Sequence, residues 1–333
     1  MQILTDRPIR FLKGAALGLA VALSAAGAAS AQDKDITIAL GDIESVETLN
    51  LMIALEHARE RGLNIDLIAF KSEDIANQAV VNGQADIGIG VPYAVIQKVS
   101  APIRMFYQLA TLRFFPVVDK KYATWKDLDG EEIAVHSRGS GTEAAAKYVA
   151  AENGITFKNI SYVPGSEVRA LALLNDNIDA TFLDIANKNF VMGQAPDQFH
   201  VLPMGDLEGT DEALFARQDW LEENQETVQI LLEELLKVTR SINEDPSYVQ
   251  AERERLGLLP DLPEDLEAEI LPYYQQAVEA QLFPPHGGNE KAIRSDFEFY
   301  GSAGQLEGSP ADLKVEDFWY LAPLEKAREA VGG

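Results

Sequence analysis

Two short stretches of this chain echo each other, Asn82-Gly83-Gln84-Ala85-Asp86-Ile87-Gly88-Ile89 and Asn175-Asp176-Asn177-Ile178-Asp179-Ala180-Thr181-Phe182. Each copy follows a helical apolar period, turns on small polar residues and enters an apolar run short enough for a buried strand of a parallel sheet. A chain that repeats this passage builds the same α/β unit twice. Two such lobes leave a cleft between them, and a cleft captures a small molecule.

The first 31 residues bear on where the lobes fold. Arg7, Arg10 and Lys13 precede an apolar stretch from Gly14 to about Ala29, and Ala29-Ser30-Ala31 stands before Gln32. Charged, apolar and small-residue regions in that order are a cleavable secretion signal. The apolar run is shorter than the ~20 residues of a membrane span, so a soluble mature protein in the periplasm is expected. Cysteine is absent, so in an oxidising compartment the fold depends on its core alone, which 47% hydrophobic residues can supply. The 333 residues carry 28 Lys+Arg and 53 Asp+Glu; removing the leader's three basic and one acidic side chains leaves 25 against 52. That surplus excludes nucleic acid as a natural partner. Twenty acidic and five basic side chains lie between Asp206 and Ala280, which reads as a solvated helical face. His57, His136, His200 and His286 lack metal-ligand spacing, so neither metal nor cofactor is expected.

Along the chain, the first lobe reads as strands over 36–41, 64–70, 86–90 and 103–107, with helices over 46–61 and 73–82 and a short one from Pro92. A crossing at 111–119 leads to strands over 132–136, 160–163 and 180–183 with helices over 141–153 and 166–175. The chain returns between 196 and 205, adds a strand at 213–217 to the first sheet and continues mostly as helix. The division is therefore a leader (1–31), a first lobe (32–112 and 200–333) and a second lobe (113–199). Alternating β and α elements require right-handed crossovers and mainly parallel sheets flanked by helices. Ligand loops in such sheets lie at the carboxyl ends of the strands. Those ends are residues 42–45 and 91–93 in the first lobe and 137–142, 164–167 and 184–187 in the second.

The richest of these loops is His136-Ser137-Arg138-Gly139-Ser140-Gly141-Thr142. Its glycines permit close backbone approach, the first N–H groups of the following helix lack helical partners, and Ser140 or Thr142 caps or donates. An anionic group fits there, with Arg138 as a bidentate clamp; an ordinary capped turn with Arg138 in solvent is the other reading. The loop lacks the Lys of a phosphate-binding loop and the six-residue dinucleotide pattern. Tyr93 either faces the cleft as a stacking wall or hydroxyl donor, or is a core tyrosine. Glu44, Ser45 and Asp184 follow strands and either reach a ligand or cap helices. Ser166 stands in the 164–167 loop, and Arg169, one turn into its helix, pairs with a neighbouring carboxylate. Gln108 sits where the chain leaves the first lobe, as a hinge or ligand residue. No Gly-x-Ser-x-Gly elbow accompanies His136-Ser137, which argues against a hydrolase.

The leader, Asn82 to Gly88, the Trp125-Lys126-Asp127-Leu128-Asp129-Gly130 element, Gly165-Ser166-Glu167-Val168-Arg169-Ala170-Leu171-Ala172-Leu173-Leu174 and Ile178-Asp179-Ala180 carry a resemblance. In that order and spacing, from about residue 36 to 243, the chain resembles the periplasmic substrate-binding proteins of ABC importers. The resemblance is to the nitrate/sulfonate/taurine-like family that also includes thiamine-pyrimidine binders. It implies a two-lobed, type II-like periplasmic-binding-protein fold and hinge closure on a small anionic or zwitterionic solute such as a sulfonate, carboxylate or pyrimidine. It also implies delivery by a monomer to a permease in the inner membrane, without catalysis. An enzyme on the same scaffold, resembling pyrimidine synthases or small-molecule lyases, is the alternative, and a ligand-sensing ectodomain a third reading.

Overall fold

A computed structural model of the protein describes residues 35–204 and 209–332; the leader expected over 1–31 lies outside the described residues. The first sheet opens with β1 (Asp35–Leu40), α1 (Leu49–Glu60), β2 (Asn64–Ala69), α2 (Glu73–Val81), β3 (Ile87–Gly90), α3 (Tyr93–Lys98) and β4 (Ile103–Thr111). The second is built from β5 (Phe115–Asp119), β6 (Glu132–Val135), α4 (Gly141–Asn153), β7 (Asn159–Tyr162), α5 (Ser166–Leu174), β8 (Ala180–Leu183), α6 (Ile185–Gln194) and β9 (Phe199–Val201). The chain then returns through β10 (Thr210–Arg217) and closes with α7 (Gln218–Glu223), α8 (Gln225–Glu244), α9 (Tyr248–Leu256), α10 (Glu264–Glu279), α11 (Glu290–Ser302) and α12 (Ala322–Ala330).

The two sheets have the same plan: β2-β1-β3-β10-β4 and β7-β6-β8-β5-β9. In each, four strands run in one direction, and the strand that follows a crossing lies antiparallel between two of them: β10 between β3 and β4, β5 between β8 and β9. The sheets are thus mainly parallel, as expected, and the single reversed strand of each is the one that arrives from the opposite sheet and enters from the other end. The expected crossing over 111–119 shrinks to a few residues, since Phe115, Val117 and their neighbours pair as β5. His200 and Val201 pair with Val118 and Val117, so the return falls after Val201, slightly later than the expected boundary at 199/200.

The repeated phrase has one backbone geometry. The N–H groups of Asn82, Gly83 and Gln84 donate to the carbonyls of Gln78, Val80 and Ala79; those of Asn175, Asp176 and Asn177 donate to Leu171, Leu173 and Ala172. Gly83 (φ +70°) and Asp176 (φ +55°) both take the left-handed conformation that ends a helix, which glycine adopts freely and Asp tolerates. The turn fixes where β3 and β8 begin. It therefore sets where their carboxyl ends lie.

The helical tail buttresses the first sheet. Val228, Leu231, Leu232, Leu235, Leu236 and Ile242 form one buried stripe of α8, packed with Leu51, Leu55 and Ala58 of α1 and Leu324 of α12. Burying each such leucine is worth roughly 1.5–3 kcal/mol. A second core contains residues from both sheets, including Phe215 and Val135, together with an aromatic group of Tyr93, Phe297, Tyr300, Phe318 and Trp319.

Candidate functional site

A cavity of about 110 Å³ lies where the carboxyl ends of both sheets meet. On the first sheet's side stand Asp42 just after β1, Ser45 and Glu47 before α1, Glu73 at the start of α2 and Ile89 of β3. Asp211 and Glu212 of β10 join them: β10 runs antiparallel and Ala213 pairs with Gly90, so its amino end lies beside the carboxyl end of β3. On the second sheet's side stand His136 after β6, Ser140, Gly141 and Thr142 at the start of α4, Ser166, Glu167 and Arg169 in α5, and Asp184 at the start of α6. Arg113 and Phe114 of the crossing and Tyr273 of α10 complete the wall.

His136 links the two sides. Its Nδ1 accepts from the Gly165 N–H at 3.3 Å, so in this assignment the proton is on Nε2, which donates to the Gly41 carbonyl at the end of β1, also at 3.3 Å. Burial pulls the His136 pKa down to about 4, which keeps the ring neutral and able to serve both partners. The Asn187 side-chain amide, on α6, donates across to Glu47 at 3.2 Å.

The wall is acidic. Asp42, Glu47, Glu73, Glu167, Asp184, Asp211 and Glu212 face two arginines and a neutral histidine. Burial, then repulsion from Glu212 and Asp42, raises Glu73 to about 8; burial and Asp42 raise Glu212 to about 7. Burial first, and carboxylate neighbours after it, also push Glu47 and Asp211 well above the usual carboxylate range and raise Glu167. Both arginines are tied to main-chain oxygens. Arg169 donates to the carbonyls of Phe182 and Val163, and Arg113 to those of Ala280 and Leu112. Arg169, expected to pair with a carboxylate, instead makes its direct hydrogen bonds to carbonyls, while Asp184, Asp42 and Glu167 act on it through space.

The expected anion cradle is occupied from within. The Thr142 hydroxyl accepts from His136 N–H, Ser140 Oγ from Ser137 N–H and Glu143 N–H, and the Glu143 carboxylate from Gly139 N–H. The Asp211 carboxylate crosses from the first sheet to the first turn of α4, where a Cβ on Gly141 would lie 2.9 Å from it. At α6, Asp184 accepts from Asn187 N–H at 2.8 Å, the capping role that was one of its two readings. These helix starts carry the protein's own carboxylates, as the dipole favours.

Of the residues singled out from sequence, Ser45, Ser140, Gly141, Thr142, Ser166 and Asp184 line the cavity; Glu44, Tyr93, Gln108, Ser137, Arg138 and Gly139 do not. Arg138 is exposed and its guanidinium lies 5.1 Å from the centroid of the Tyr162 ring, which corrects the clamp reading. Tyr93 is fully buried: its hydroxyl donates to Asp296 Oδ2 at 2.6 Å and accepts from Trp319 Nε1 at 2.8 Å, so it is the core tyrosine. Gln108 is buried within β4, its N–H on the Gly287 carbonyl. Glu44 is exposed beside the cavity mouth residues, and Ser137 is buried without facing the cavity. Sequence reasoning missed Glu47, Glu73, Asp211, Glu212, Arg113 and Tyr273. For Glu73 a signal existed, since Ser72-Glu73 opens the helix after β2 at the same sheet edge.

The NMT1/THI5-like family model matches residues 54–248. No curated protein matches the sequence. Among solved structures, the chain is similar to the periplasmic nitrate-binding protein NrtA from Synechocystis PCC 6803, with 12% identity, a TM-score of 0.67 and 90% of each chain covered. It is also similar to the alkanesulfonate-binding protein SsuA from Xanthomonas axonopodis pv. citri bound to MOPS (17% identity, TM-score 0.61, 82% of this chain and 94% of that one). The periplasmic aliphatic sulphonate binding protein SsuA from Escherichia coli is a third (18%, 0.58, 86% and 92%). These likenesses show the fold, that of periplasmic binding proteins, and among the described residues no helix is long and apolar enough to cross a membrane. The repeated sheet plan, the cavity at the shared strand ends and the family match agree, and the chain belongs to the NMT1/THI5-like family.

Proposed function

We propose that this protein is the periplasmic substrate-binding component of an ABC importer, which closes two lobes on a small organic solute and hands it to a permease in the inner membrane. The observation that carries the reading is the cavity itself: it is walled by the carboxyl ends of both sheets, so closure buries a solute from two sides at once. Binding, not bond making, is the function, and Ser45, Ser140, Thr142, Ser166 and Asp184 are proposed as polar contacts. Of the anionic or zwitterionic solutes expected, the zwitterionic kind suits a wall with seven carboxyl groups and two arginines.

Turnover is the second reading, because raised carboxyls such as Glu73 and Glu212 beside a neutral histidine are also what acid–base chemistry uses. One experiment separates the two. Native mass spectrometry identifies what copurifies with the secreted protein, and the extracted compound is returned to ligand-free protein in a thermal-shift assay. Recovery of the compound unaltered, with a rise in melting temperature that grows with its concentration, supports capture. Chemical conversion of the compound refutes it.

A further inference from the structure

The first sheet's side of the cavity has hydrogen-bond acceptors in excess of the donors facing them. Gly90 ends β3 and leaves open backbone there; a Cβ built on it would lie 3.6 Å from the Glu73 carboxyl carbon and 3.6 Å from Asn77 Oδ1. Asn77, one turn after Glu73 on α2, is only 7% exposed, and its Oδ1 has no hydrogen-bond partner. Gly90 pairs with Ala213, which brings Glu212 and Asp211 to the same strand end from the other side. A buried acceptor without a donor costs about 1–3 kcal/mol. One such amide oxygen and three carboxyls lie around this strand end, and what suits them together is a group that brings several N–H donors and positive charge.

We infer that the cavity wall formed by Glu73, Asp211 and Glu212, with Asn77 Oδ1 beside Glu73 at the end of β3, binds the cationic nitrogen group of the solute, an ammonium, amidinium or guanidinium.

This deepens the solute-capture reading and rests on it. An organic cation fits better than a metal ion, because among the described residues no group of three or more His, Asp or Glu side chains is arranged to hold one. A sulfonate or nitrate in this position would face Glu73, Asp211 and Glu212, and the two arginines of the wall, Arg113 and Arg169, both make main-chain bonds. The starts of α4 and α6, where an anion would otherwise find N–H groups, already have Glu143, Asp211 and Asp184. Proton linkage gives the inference a sign. In ligand-free protein Glu73 and Glu212 hold protons near neutral pH, so a cation that ionises them releases protons on binding, whereas an anion makes the site take protons up.

The test uses ligand-free full-length mature protein and two sets of small probes at equal ionic strength: ethanolamine, methylguanidine and β-alanine against methanesulfonate, acetate and nitrate. Thermal shift reads which set stabilises, and calorimetry at pH 7 in buffers of different ionisation enthalpy counts protons. Stabilisation by the amine-bearing set with net proton release, weakened about tenfold or more in Glu73→Gln and in Glu212→Gln, is the expected result. Circular dichroism and the unchanged melting temperature of the unliganded variants, or a higher one, show that loss of binding is not loss of fold. Stabilisation by the anionic set with proton uptake overturns the cation subsite and leaves solute capture standing. If neither set binds and the copurifying compound contains no basic nitrogen, the cation subsite is overturned as well; if no compound copurifies and none of the probes shifts the protein, both readings fall.

Discussion

Replacing Glu73 by glutamine keeps the shape of the side chain and removes its titration, and the structure fixes the sign of the result. An unfolded glutamic acid gives up its proton near 4.5, whereas folded Glu73 keeps it up to about 8 because the carboxyl is buried among Glu212 and Asp42. Below pH 4.5 both states are protonated and Glu73 costs nothing. As pH rises the unfolded chain ionises first, so stability falls through the window from 4.5 to 8 and is level above it. Between pH 5 and pH 8 this amounts to at most about 3.5 kcal/mol, and about 2 kcal/mol once solvent in the cavity screens the charge. Urea unfolding of parent and Glu73→Gln at pH 5 and pH 8 measures it. Glu73 also helps to raise Asp211, so the difference between their pH responses reads Glu73 together with that coupling. The variant should lose about 2 kcal/mol less than the parent over that interval. Equal losses in the two proteins would show that Glu73 ionises normally and that burial among Glu212 and Asp42 does not hold its proton.

Three further substitutions test the placement of neighbouring groups. Tyr93→Phe removes the hydroxyl between Asp296 and Trp319 and should cost about 1–3 kcal/mol in urea unfolding while leaving solute affinity within about twofold; a large loss of affinity would return Tyr93 to the cleft. Gly41→Ala places a Cβ 2.6 Å from Glu73 Cα and 2.8 Å from its nitrogen, so α2 must move; a loss of about 1–3 kcal/mol is expected, and unaltered stability would contradict that close approach. Arg138→Ala gives up only an exposed stacking contact with Tyr162, worth about 0.5–1 kcal/mol, and a titration with any bound solute should be unaffected; a tenfold weakening would restore the clamp.

The strands, the helices and the edge at which the cavity opens were legible because each rests on a local signal. The turn at Asn82-Gly83 and its copy at Asn175-Asp176 mark strand starts, and apolar runs mark buried strands. The loops at 42–45, 137–142, 164–167 and 184–187 do converge on one cavity, as strand ends of two facing sheets must. What was not legible depends on partners far along the chain. The position of Tyr93 after β3 and Pro92 leaves cleft and core both open, and it is Asp296 and Trp319, more than two hundred residues away, that draw it into the core. Asp211 and Glu212 carry no motif; only the antiparallel entry of β10 beside β3 brings them to the cavity. The loop 136–142 was recognisable as a capped helix start, yet whether its donors were open depended on Glu143 and on Asp211 from the other sheet.

The order of strands also governs how the chain can mature as it is made. Everything the second sheet requires, from β5 to β9, is contiguous, so that half can assemble as soon as it emerges. The first sheet cannot: β3 and β4 are separated by β10, and until Phe215 arrives against Gly88 the early strands have an open seam in their middle. The amino-terminal half must therefore wait, partly exposed, for a later segment, a long-range closure that slows folding and lengthens the time in which a chaperone or a protease can find it.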